Sequence, residues 1–199
     1  MNKEKNNILF LEITDAEICF LLGRLREIFS NEIFNTNIHI SIKGPQKSFR
    51  MDLVNKFLQK KNPIRICDAG MFVNKNKYFV YLKVECENLE TIWRKPDYNS
   101  EYNPHITIYK GTNKRIADAV FNFMKNENLC LTCTEYSIAV HILRQRNFFT
   151  QNHHTGTHCF DRLIAQSGVK RSVLLRAEKM MSDLLQLPLF NLADRILCP

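Results

Sequence analysis

The chain has 199 residues, 45% of them hydrophobic and 24% charged, with 14 Phe but only 6 Gly and 6 Pro. That is the composition of a globular domain with a sizeable core, and it excludes a disordered, collagen-like or coiled-coil protein. Twenty-eight Lys and Arg against 20 Asp and Glu leave a formal charge of +8, which favours anionic partners such as nucleotides or nucleic acid.

The excess charge is not gathered in a tail, so an anion site belongs to the main domain. No apolar run approaches the ~18 residues that span a bilayer, and no membrane contact is expected. The basic start, Met1 to Asn7, is followed by an apolar stretch from Ile8 that already breaks at Glu12, so a secretory signal is not expected. Seven scattered Cys read as buried thiols of a reducing compartment. The expected location is the cytoplasm.

Residues 7–14 read as a strand, followed by a helix opened by Thr14-Asp15-Ala16-Glu17, an N-cap with Glu three residues on. Ile18, Leu21, Leu22, Leu25 and Phe29 form its apolar face. Ile38-His39-Ile40-Ser41-Ile42-Lys43 alternates as a strand that Gly44-Pro45 should stop. A helix is expected over 48–61, then a hairpin of 64–73 and 78–86 around Asn74-Lys75-Asn76-Lys77, and a short helix over 88–94. Pro104-His105-Ile106-Thr107-Ile108-Tyr109-Lys110-Gly111 is a second alternating strand. A helix over 113–125 and a β-rich run over 129–143 follow. Beyond residue 150, Val173, Leu174, Ala177, Met180, Met181, Leu184 and Leu185 recur at helical spacing. The expected organisation is a main domain over 1–149 and a helical extension over 150–199 packed on it. The chain should be a monomer, with the extension's helix as the surface through which a dimer would form.

Two segments repeat. His39-Ile40-Ser41-Ile42 and His105-Ile106-Thr107-Ile108 stand 66 residues apart, each followed by a basic residue, a Gly and a helix, which points to two pseudo-symmetric lobes. On a strand, residues i and i+2 share a face, so His39 and Ser41 project together, as do His105 and Thr107, while the Ile residues turn inward. Two imidazoles titrating near neutrality suit in-line displacement at phosphorus, one removing a proton from the attacking oxygen and the other protonating the leaving oxygen. The hydroxyls can donate to non-bridging phosphate oxygens. No metal or cofactor is expected.

The same parity puts Lys43 beside His39 and Ser41, as a phosphate-binding cation, and Tyr109 beside His105 and Thr107, to stack on a base or donate its hydroxyl. Lys110 has the opposite parity and would need a bulge or a strand end to reach the site. Trp93, Tyr102 and Tyr109 are the candidates for substrate stacking, whereas Phe10 and Phe72 read as core. His153-His154-Thr155 reads as a chance recurrence of the motif in a polar loop.

These residues resemble the two signatures of the two-histidine (2H) phosphoesterases, the LigT-like superfamily, over about residues 1–145. The resemblance implies an α+β, bilobal LigT-like fold with a motif from each lobe lining a central cleft. It implies His39 and His105 as the catalytic pair and Ser41 and Thr107 as phosphate-binding hydroxyls, Ser41 standing where Thr is commoner. It also implies substrates with a ribose 2′ oxygen at the reacting phosphate: 2′,3′-cyclic ends, 2′-5′ oligoadenylates, small cyclic phosphates or, as in phage anti-CBASS enzymes, cyclic oligonucleotide signals. The expectation is a metal-independent phosphodiesterase acting on a nucleotide or oligonucleotide. Two alternatives remain. One is a nucleotide- or RNA-binding module without turnover; the other is a zinc site built from Cys130 and Cys133 with His153, His154, His158 or Cys159, which strand parity at Cys130 and Cys133 disfavours.

Overall fold

The computed structural model describes residues 6–30, 37–46, 48–93, 102–143 and 168–186. Strand β1 (Asn6–Ile13) leads into helix α1 (Ala16–Phe29), capped by Asp15, whose carboxylate accepts from Ile18 N at 2.9 Å. The cap is Asp15 rather than Thr14, and Glu17 adds negative charge in the first turn, where the helix dipole favours it.

β2 (His39–Gln46) runs through Gly44-Pro45 instead of stopping there. It is an edge strand, with a free side on which a missing N–H costs no ladder bond. After α2 (Met51–Lys60), β3 (Ile64–Asn74) and β4 (Lys77–Glu85) form the expected hairpin. Its two linking residues, Lys75 and Asn76, both have positive φ, 46° and 61°, as a two-residue turn matched to strand twist requires. A 3-10 turn at Leu89–Thr91 stands within the short helix expected there. β5 (His105–Gly111), α3 (Lys114–Glu127, capped by Asn113), β6 (Leu131–Cys133), β7 (Tyr136–Leu143) and α4 (Gly168–Leu185) complete the order.

The fold is α+β, with two antiparallel sheets: β2-β1-β7 and β5-β4-β3-β6. The β-rich run 129–143 is thus divided, β6 joining β3 and β7 returning to β1. The interior is one continuous apolar cluster. Leu9, Leu11, Ile40 and Ile42 of the first sheet join Ile66, Val80, Leu82, Ile106 and Ile108 of the second, with Leu21, Leu22, Leu25 and Phe29 of α1. Each of these large side chains contributes ~1.5–3 kcal/mol by leaving water.

Helix α4 buries Val173, Ala177 and Met181 and packs on α1 and α3, where Arg176 grips Glu127 through two bonds of 2.7 and 2.6 Å. Its apolar stripe is therefore used within the chain. Leu175, at 56% exposure, lies off that stripe. Among the described residues, no helix is long and apolar enough to cross a membrane.

Candidate active site

His39 opens β2 and His105 opens β5; each strand is an edge of its own sheet, and the two edges pack beside one another. Both rings are held in the same way. His39 Nδ1 lies 2.7 Å from Asn37 O, and His105 Nδ1 lies 2.7 Å from Asn103 O. A carbonyl only accepts, so Nδ1 carries the proton in both rings, and Nε2 is the atom left for chemistry. The repeat therefore begins two residues earlier than the histidines, at Asn37 and Asn103, which stand at the same 66-residue offset. That matched Asn was a legible signal that the sequence reading missed.

Beyond each hydroxyl residue the ladder slips. β2 against β1 pairs Glu12 with His39, Leu11 with Ile40 and Phe10 with Ser41, then jumps to Leu9 with Lys43, leaving Ile42 over. β5 against β4 pairs Lys83 with His105, Leu82 with Ile106 and Tyr81 with Thr107, then jumps to Val80 with Tyr109, leaving Ile108 over. These are two bulges at matched positions, and a bulge reverses side-chain parity in everything after it.

The placements expected for Lys43 and Tyr109 are corrected accordingly. Lys43 takes the register position opposite Leu9, and Tyr109 the one opposite Val80, on the core side of each sheet; Tyr109 is 4% exposed. Its ring folds over Gly111, where a Cβ would collide with the phenol oxygen. Lys110, set aside by simple alternation, is carried by the bulge to the position opposite Phe79, on the face of Tyr81, Thr107 and His105. The matching position in the first sheet is the buried Gly44.

The surroundings of the two imidazoles differ. His39 lies against Phe10, ring centroids 4.1 Å apart, and Phe10 also meets His141 at 4.8 Å. Glu12, opposite His39, accepts from His141 Nε2 at 3.0 Å and from Asn37 Nδ2 at 3.1 Å. Burial, with the Arg26 guanidinium and His141 adding to it, pushes His39 down to about 4 against the opposing pull of the Asn37 carbonyl and Glu12. His105 lies among Tyr81 (4.7 Å) and Phe72 (5.6 Å), and Phe72 stacks on Phe79 at 4.9 Å. Burial lowers His105 too, opposed by the Asn103 carbonyl. Both rings are neutral at pH 7.

Ser41 and Thr107 are partly exposed, each two residues from its histidine. Trp93, expected at the substrate, is 7% exposed and belongs to the core, its ring edge-on to Tyr102 at 5.1 Å. Tyr102 is 49% exposed and stands three residues before His105. Phe10 and Phe72, expected in the core, lie outside the apolar cluster: Phe10, though 8% exposed, packs on His39 and His141, and the half-buried Phe72 meets His105. Cys130 Sγ accepts from Arg65 Nε at 3.3 Å, and Cys133 Sγ donates to Glu135 O at 3.1 Å. His153, His154, Thr155, His158 and Cys159 lie outside the described residues. Among the described residues, no group of three or more His, Cys, Asp or Glu is placed to hold a metal ion.

Set beside known proteins, the chain matches no family model, no curated protein and no solved structure.

Proposed function

We propose that this chain is a metal-independent phosphodiesterase of the two-histidine type, with a LigT-like bilobal arrangement. Its substrates are phosphodiesters next to a ribose 2′ oxygen in small cyclic or short oligonucleotides. One imidazole Nε2 takes the proton of the attacking 2′-hydroxyl or water as the new P–O bond forms. The other, protonated at Nε2, delivers its proton to the leaving oxygen as the old P–O bond breaks. Ser41, Thr107 and Lys110 donate to the non-bridging oxygens, where charge builds. The observation that carries this reading is the doubled bracket: just before each edge strand a carbonyl two residues upstream of the histidine accepts Nδ1–H and leaves Nε2 for chemistry, and a hydroxyl residue follows two positions on, on the same face.

A free protein with two neutral imidazoles holds a base but no acid. The bound phosphate anion supplies what is missing, because a negative charge near an imidazole favours its protonated form. The same neutrality favours a second reading, a nucleotide-binding module without turnover. Turnover in chelator separates the two, tested on 2′,3′-cyclic mononucleotides, 2′-5′ and 3′-5′ oligoadenylates and cyclic di- and trinucleotides. Cleavage by the wild type and not by the His39→Ala/His105→Ala double variant is expected, with a bell-shaped kcat/KM profile whose maximum lies below pH ~6.5, the ordinary histidine value. Nucleotide binding without cleavage of any member would establish the second reading. Loss of cleavage on adding chelator would overturn the proposed mechanism.

A further inference from the structure

Arg26 sits in the apolar stripe of α1, among Leu22, Leu25 and Phe29, and is 3% exposed. A buried guanidinium costs several kcal/mol unless its donors are satisfied, and the packing of α1 alone calls for no cation there. Two of its donors go to main-chain carbonyls. Nε donates to Thr107 O at 2.8 Å, and Nη1 donates to Asn37 O at 3.3 Å. Thr107 belongs to the β5 motif. Asn37 O is the same oxygen that takes the Nδ1 proton of His39. One planar fork of fixed geometry thus reaches the backbone of both motifs, which belong to different sheets.

We propose that Arg26 is the positioning residue that couples the two half-sites, setting the Asn37 carbonyl, and with it the His39 ring, relative to the strand that carries His105 and Thr107. The kinetic part of this inference rests on the phosphodiesterase reading; the structural part does not. A carbonyl that already accepts from a cation is a weaker acceptor for Nδ1–H, so Arg26 also disfavours the His39 imidazolium. The charged and titratable groups facing His39 are Glu12 on β1, His141 on β7 and Arg26 on α1. Removing Arg26 therefore leaves a carboxylate and an imidazole, and His39 titrates higher.

The test follows the His39 and His105 imidazole resonances across pH in wild type, Arg26→Lys and Arg26→Gln, beside steady-state kinetics on adenosine 2′,3′-cyclic phosphate. Lys keeps the charge but cannot span two carbonyls. Arg26→Gln is expected to raise the His39 midpoint by about half a pH unit or more and Arg26→Lys, which keeps the charge, by less, with His105 moving least. Turnover is expected to fall about tenfold or more in kcat, with KM changing less than about threefold, as misplacement of a reacting group requires. A folded Arg26→Gln protein with wild-type His39 titration, or a folded Arg26→Lys protein with wild-type kcat, overturns the proposal. If both variants unfold, the wild type decides: the Arg26 Nε–H resonance is expected to persist at neutral pH and to shift with the His39 midpoint. A resonance lost to water exchange, or one that follows no histidine, overturns it. If the wild type cleaves nothing while His39 still responds to Arg26, the phosphodiesterase reading fails and the coupling stands.

Discussion

The half-site around His39 and the half-site around His105 share a backbone and differ in almost everything that touches the rings. Each has an Asn whose carbonyl holds Nδ1, a hydroxyl two residues on, and a bulge directly after it. Around His39, however, stand a carboxylate, a third histidine and a buried guanidinium, whereas His105 is lined by Tyr81 and Phe72. The backbone sets which nitrogen is available. The neighbours set when it holds a proton, and on the proposed phosphodiesterase reading that difference would divide the pair into a base and an acid. His39, pushed down to about 4 by burial with Arg26 and His141 adding to it, stays neutral to lower pH and on that reading would enter the reaction as the base. His105, lowered by burial alone, takes up a proton more readily beside a bound phosphate.

The largest expected effect breaks the symmetry by leaving group. Either His→Ala change should cost about 10²–10⁴ in kcat on a nucleotide substrate, the range for loss of one general acid or base. A p-nitrophenyl phosphodiester departs as a stabilised phenolate and needs no acid. On that substrate His105→Ala should recover most of the wild-type rate while His39→Ala remains slow. Recovery by His39→Ala instead would reverse the assignment.

The hydroxyls come next. Each donor aimed at developing charge is worth about 10²–10³ in kcat when removed. On the proposed reading Ser41→Ala is expected to cost more than Thr107→Val, because Lys110 shares the face of Thr107 and stays as a second donor, whereas the first sheet has Gly44 in the matching place. Steady-state kinetics on one cleaved substrate measures the ratio; equal losses would mean that Lys110 contributes nothing to that side.

Why part of this could be read from the sequence and part could not follows from the particular residues. Isoleucine alternation around His39 and His105 is a local property of edge strands with one buried face, so both strands and the shared faces of His39 with Ser41 and His105 with Thr107 were legible. Parity then failed at Lys43 and Tyr109. A single extra residue at Ile42 or Ile108 leaves no mark in the alternation, because Ile fits either face, and only the partner strand's register reveals it. Arg26 did leave a mark, a cation in an apolar helical stripe, but its partners are 11 and 81 residues away in the chain. The strand-helix-strand repeat is looser than the motif spacing suggests. β3 and β4 precede the second motif as a hairpin, where β1 and α1 precede the first. Trp93 joined the core for a similar reason, since aromatic character alone does not distinguish a stacking platform from packing.

The smallest expected effect reads the same asymmetry through stability. A histidine whose folded value lies near 4 binds its proton more weakly in the folded chain than in the unfolded one, where it titrates near 6.5. As pH falls from about 6.5 towards 4, the unfolded chain gains protons that the folded chain refuses, so stability present at neutral pH is lost over that window. For His39 the loss is at most about 3 kcal/mol, and His105 adds a smaller one of the same sign. Urea unfolding at pH 7 and at pH 4.5 should therefore show a drop in wild type that His39→Gln reduces more than His105→Gln does, since glutamine keeps a hydrogen-bonding side chain without a titrating proton. Equal reductions in the two variants would mean that burial, which the two rings share, sets their titration, and that Arg26, Glu12 and His141 do not distinguish the half-sites.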